Sequence, residues 1–140
     1  MAGGLLAVGV LSGLGGCAAP LTPVDYARPY PAHVPHGPTL DIQVFRRTRE
    51  LELTNTTARA LGPSTLWLNA YYSRPIDGLG VGQTLMIPLV EFRNEFSEAF
   101  RGGGFFATEA PERLVMAQLE TEIDGKPQLL GMIVVAEEDK

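Results

Sequence analysis

The sequence is poorest in the side chains from which most catalytic and metal sites are built. Its 140 residues hold two histidines and one cysteine. Both histidines, His33 and His36, precede residue 39, so a domain beyond that point has no imidazole base for a Ser-His-Asp or Cys-His arrangement. With Cys17 as the lone cysteine, no internal disulfide can form, and an exported domain must rely on its apolar core. Zinc ordinarily takes His or Cys ligands. The His33-Val34-Pro35-His36 pair has no carboxylate or thiol close by, so no metal or cofactor is expected. Glu120 and Glu122, two apart on a strand, share one face and read as surface charges. The expectation is a protein that is not an enzyme.

Long apolar runs and clustered positive charge are scarce as well. The uncharged stretch from Met1 to Gly16 is shorter than the roughly 20 apolar residues a spanning helix needs. Eleven Lys and Arg against sixteen Asp and Glu give a net charge of −5. Binding to a phosphate backbone takes clustered cations, so no nucleic-acid partner is expected. Arg46, Arg47 and Arg49 form the one basic cluster, and Glu50 and Glu52 follow directly. That group reads as a solvated strand face rather than an anion or lipid-headgroup site.

What is present starts with an address. The apolar run Leu5-Leu6-Ala7-Val8-Gly9-Val10-Leu11 leads to Leu14-Gly15-Gly16-Cys17. A short apolar segment with small residues before a cut fits a secretory signal. An aliphatic residue, two small residues and a cysteine resemble the lipobox of bacterial lipoproteins. The resemblance implies that Cys17 receives a diacylglycerol, that cleavage falls before it, and that the new amino group takes a further acyl chain such as palmitate. Three chains would hold the protein firmly, since each buried methylene contributes about 0.8 kcal/mol. No Lys or Arg precedes the run, where such signals are ordinarily basic; either the start codon lies further upstream, the favoured reading, or the signal is weak. Ala18, where an Asp would favour inner-membrane retention, leans toward the outer membrane, facing the periplasm, if the organism is Gram-negative.

The organisation expected is a signal peptide over 1–16, a lipidated cysteine and proline-rich tether over 17–38, and a β-domain over 39–137. Pro20, Pro23, Pro29, Pro31, Pro35 and Pro38 fix φ and remove donors, which favours extended or disordered chain. At about 3.1 Å per residue such a tether would hold the domain on the order of 60 Å from the bilayer.

Within the domain, strand signals dominate. Strands are expected over 41–45, 50–54, 65–72 and 84–89, with Leu51 and Leu53 on one face and Leu85, Ile87 and Leu89 inward. Asn55-Thr56-Thr57 carries turn chemistry. Pro88 cannot donate to a ladder, which suggests an edge strand or a bulge. The runs 114–123 and 126–135, joined by Asp124-Gly125, form the clearest hairpin signal. Phe92, Phe96 and Phe100 recur every four residues, consistent with a short helix over 91–100.

Six to eight short strands without a disulfide suggest an all-β, antiparallel sandwich. The pieces Leu51-Glu52-Leu53-Thr54-Asn55-Thr56-Thr57, the Trp67 strand and Gly82-Gln83-Thr84-Leu85 resemble bacterial immunoglobulin-like modules, including the FxLYD-like domains carried by lipoproteins. Fold alone does not assign function. The least ordinary segment is 92–108, where Gly102-Gly103-Gly104 sits among five phenylalanines. It is either a connection whose rings plug one end of the sandwich or a loop that docks a partner through Phe105 and Phe106, with Arg93 and Arg101 on its rim. The function expected is a membrane-anchored, noncatalytic binding or spacer module in the cell envelope, joined to the membrane by covalent lipid and to an envelope protein partner. The alternative is a carrier of a small apolar ligand in a cavity between the sheets.

Overall fold

The computed structural model describes residues 24–136. Seven strands follow one another: β1 (Gln43–Arg47), β2 (Glu50–Thr54), β3 (Ser64–Leu68), β4 (Tyr72–Ile76), β5 (Thr84–Pro88), β6 (Ala117–Ile123) and β7 (Lys126–Val135). They join in the order β4-β3-β6-β7-β1-β2-β5, a single sheet curled into a half-barrel. The protein is all-β, as its alternating patterns imply. Its sheet is mixed rather than purely antiparallel, because β1 runs parallel to β7.

Strand β7 makes this closure possible. From Lys126 to Met132 it pairs with β6, and from Ile133 to Val135 it pairs with β1. The changeover follows Gly131, where an added Cβ would lie 3.1 Å from the Thr39 hydroxyl of the incoming chain. A side chain at 131 would therefore press on the segment that feeds β1. The two halves curl over one core, with Val44, Leu51, Leu53 and Ile87 from one half meeting Leu66, Leu68, Ile76 and Leu119 from the other. Strand β5 lies at a sheet edge, so Pro88 leaves no interior ladder bond unmade. In the β6–β7 turn Asp124 and Gly125 both have positive φ, as the Asp-Gly signal requires.

Two local expectations are corrected. The run 65–72 is not one strand. Asn69 and Ala70 both adopt positive φ, and the chain doubles back from β3 into β4. Asn tolerates that conformation through local hydrogen bonding, and its side chain bonds to Arg113 O, to Val115 N and, at 3.2 Å, to Met116 N. No helix forms over 91–100 either, beyond a 3₁₀ turn at Leu89–Glu91. Instead Phe100 N bonds to Phe92 O, and Asn94 Oδ1 accepts from Phe96 N and Glu98 N in a tight reversal. The four-residue spacing thus buries Phe92 and Phe100 as partners in a small hairpin and leaves Phe96 exposed at its turn.

The proline-rich stretch expected as a tether is, from Val24 on, packed against the outer face of β3, β6 and β7. Trp67 alternates with Leu66 and Leu68, so it points away from the main core, yet it is 0 % exposed. Val34 and Leu129 cover it, and Tyr30 meets its ring edge-on at 5.4 Å. The Arg28 guanidinium lies 4.9 Å from the ring centre. Trp67 Nε1 donates to Glu120 at 2.8 Å, and Tyr30 donates to Gln118 at 2.7 Å. Glu120 therefore serves the fold rather than acting as a free surface charge. The backbone is tied down as well, through Gly37 N to Leu129 O, Leu129 N to Pro35 O and Leu40 N to Gly131 O. Proline suits this strap, since it needs few ladder donors and loses little entropy on ordering.

Replacing Val34 with Asp would set a carboxylate against Trp67 and Leu129. We expect a loss of about 2–3 kcal/mol in urea unfolding, with red-shifted Trp67 emission open to iodide quenching. Unchanged emission would contradict the covering role of the strap.

Candidate docking site at one end of the half-barrel

The long connection from Phe100 to β6 crosses one end of the half-barrel, and its position follows from a few anchors. Phe100 is buried, with the Tyr72 ring 5.2 Å away and the Arg46 guanidinium 5.7 Å from its centre. Arg46 donates to the carbonyls of Gly102 and Glu112, drawing the two limbs of the connection together. Glu112 N bonds to Arg101 O across the same neck. Arg46 is thus partly buried and structural, not part of a solvated face. At Gly103, φ is +78° and an added Cβ would lie 2.9 Å from Pro111, so only glycine fits where the limbs touch.

Beyond this neck the loop tip is bare. Phe105 and Phe106 stack edge to face at 4.9 Å and touch little else, with 94 % and 90 % of their surfaces exposed. They do not plug the end of the sheet. Arg101 lies below them at the neck, where it pairs with Glu109 at 3.2 Å. Arg93 does not join the rim. Its backbone bridges Ser73 and Ala99, its guanidinium donates to Ser97 O, and it belongs to the Phe92–Phe100 hairpin. The structure therefore places Phe105 and Phe106 together at the tip, sets Arg101 at the neck beneath it, and leaves Arg93 elsewhere.

Further apolar groups at this end were not legible as a set. Tyr71 lies in the β3–β4 turn, Val115 is tied to Asn69, and Val90 faces a recess shared with Gly103, Ala107 and Glu109; all three are exposed. Arg49 in the β1–β2 turn and Arg113 are exposed around the same loop, Arg49 with its side chain 3.4 Å from where a Cβ on Gly104 would sit. Only the turn geometry brings these residues to one end.

Beneath the tip, Tyr72 donates to the Glu112 carboxylate at 2.7 Å. Burial, and then that carboxylate, hold its phenol well above the ordinary value of about 10. Elsewhere, an open cleft of about 750 Å³ is lined by Arg28, Ser64, Thr65, Asp77, Glu120 and Glu122 among others. Among the described residues no group of three or more His, Cys, Asp or Glu side chains converges as a metal site. Likewise, no helix among them is long and apolar enough to cross a membrane. Leu14, Gly15, Gly16 and Cys17 lie outside the described residues. No protein-family model matches the chain, and neither a curated protein nor a solved structure matches it.

Tyr72 should leave a signature in alkaline unfolding. Below pH of about 10 it is protonated in both states and adds no pH dependence. Above that, the unfolded phenol ionises while the folded one keeps its proton, so stability falls as pH rises. Tyr72→Phe should be about 1–2 kcal/mol less stable than wild type at pH 8, through the lost hydrogen bond, and the gap should narrow at pH 11. Urea unfolding at the two pH values checks this; a widening gap would refute it.

Proposed function

We propose that this chain is a lipid-anchored, noncatalytic module of the bacterial cell envelope that works by docking through its aromatic loop. The observation that carries the docking role is the exposure of Phe105 and Phe106. Two adjacent rings left in water gain nothing for the fold, and exposed aromatic patches mark interaction sites. The address rests on Leu14-Gly15-Gly16-Cys17, with diacylglycerol on the cysteine sulfur. On this reading the protein is held at the membrane by covalent lipid, facing the periplasm on the outer membrane if the organism is Gram-negative.

We also propose that the half-barrel is an immunoglobulin-like sandwich. Supporting this, β1, β2 and β5 pair in the order of strands A, B and E, while β7, β6, β3 and β4 pair in the order G, F, C and C′. The departure is Trp67, on the strand equivalent to C, which faces the outer strap instead of the shared core. An FxLYD-like identity draws on the same strand pattern.

The carrier reading calls for an enclosed apolar cavity above roughly 300 Å³. The cleft of about 750 Å³ is open and sets Arg28, Asp77, Glu120 and Glu122 beside Pro63, Pro75, Ile76 and Pro127, so it is not an enclosed apolar cavity. The test of the address is the intact mass of the N-terminal peptide from membranes, for wild type and Cys17→Ser. A peptide beginning at an acylated Cys17, absent from the variant, is expected. A free thiol at Cys17 within an uncut chain would overturn it.

A further inference from the structure

We propose that the surface met by the Phe105–Phe106 tip is the bilayer that carries the anchor, so that the domain rests on its own membrane instead of standing off from it. This rests on the lipoprotein reading given above.

Chain length makes the first argument. With residues 24–38 strapped to the sheet, only residues 18–23 separate the anchored cysteine from the folded unit. A chain extends at most about 3.6 Å per residue, so Val24 can lie no further than about 25 Å from Cys17. A stand-off on the order of 60 Å, expected from a tether over 17–38, is no longer available. The domain is confined to the neighbourhood of the headgroups.

The second argument is which part of the domain lies near that attachment. Tyr26 donates to Glu91 O in the 3₁₀ turn that follows β5. In the same turn Leu89 N bonds to Arg49 O of the β1–β2 turn, and Val90 lines the recess beside Gly103, Ala107 and Glu109. The folded chain therefore begins beside the 3₁₀ turn whose Val90 borders the base of the aromatic loop, before Arg28 reaches the cleft it shares with Thr65 and Asp77. A short leash attached there favours presenting this end to the lipid.

The surface chemistry of that end agrees. Phe105 and Phe106 form an apolar wedge, and Tyr71, Val90 and Val115 add exposed apolar area around it. Exposed Arg49 and Arg113 stand behind the wedge, where cations meet anionic headgroups, together with Arg101, which pairs with the exposed Glu109. The opposite end has no aromatic pair: Asp77, Glu122 and Asp124 are exposed around its turns with Arg59, Lys126 and a single exposed aliphatic, Val81. Aromatic residues flanked by arginine suit the interface between hydrocarbon and headgroups.

The test uses the full-length lipoprotein, in which acylation blocks Cys17 and any introduced cysteine is the only free thiol. Nitroxide labels are placed at Phe106→Cys in the tip and, separately, at Lys126→Cys in the β6–β7 turn at the far end. The protein is reconstituted into vesicles of phosphatidylethanolamine and phosphatidylglycerol. Collision with dissolved oxygen and with a water-soluble nickel chelate then reports depth. We expect the label at 106 to lose nickel collisions several-fold on reconstitution while the label at 126 keeps them. Adding Phe105→Asp should return the tip label to water. Equal nickel access at both sites, in protein whose N-terminal peptide carries acyl mass, would overturn the docking and leave the lipoprotein reading standing. An unacylated Cys17 would overturn both.

Discussion

The structure depends on one strand serving two partners. The lower part of β7 continues the antiparallel hairpin with β6, and its upper part accepts β1 in parallel. Backbone donors and acceptors must be satisfied along the whole strand, so the change of partner links the two halves covalently and by hydrogen bonds at once. Removing either pairing would open the half-barrel along β7 and expose the core shared by Val44, Leu53, Leu66 and Leu119. The chain that feeds β1 must also reach β7 at the correct height. Leu40 N to Gly131 O and Ile133 N to Ile42 O fix that height, and the absence of a side chain at Gly131 admits it.

The same feed explains the strap. Once Pro35 to Leu40 is bound along β7, the residues before it can only run across the outer face of β6 and β3. There Trp67 presents a large ring on the side away from the core. Tyr30, Val34 and Arg28 close over that ring, while Glu120 satisfies both the indole N–H and the Arg28 guanidinium. An indole under an apolar cover, with its N–H bonded, gains the burial of a large side chain without an orphaned donor. The strap thus covers the outer face of β3, β6 and β7, whose last residues its own continuation, β1, then pairs with. If Cys17 carries the proposed lipid, the strap would also shorten the reach between that lipid and the domain.

Much of this was legible from local pattern. Leu51 and Leu53 alternate and face inward, Asp124-Gly125 makes the hairpin turn, and Pro88 marks an edge strand, because each signal acts within a few residues. Contacts between distant segments were not. The proline-rich segment reads as a linker by composition, since nothing local shows that Tyr30 and Val34 will meet Trp67. Phe92, Phe96 and Phe100 carry a helical spacing that a hairpin satisfies equally well. Asn69-Ala70 hid a turn inside an aromatic strand-like run. At the candidate site, the exposure of Phe105 and Phe106 argues against a plug, and exposure is a tertiary quantity. Arg93 and Arg101 look equivalent in sequence, but only Arg101 belongs to the long connection that carries the tip.

The central claim is that residues 24–38 are part of the fold and not a tether. Native-state hydrogen exchange at the strap amides tests it most directly. The account predicts that Gly37 and Leu40, whose N–H groups bond to Leu129 O and Gly131 O, exchange as slowly as the amides of β6 and β7. Exchange of Gly37 and Leu40 at the rate of open chain, with β6 and β7 still protected, would contradict it.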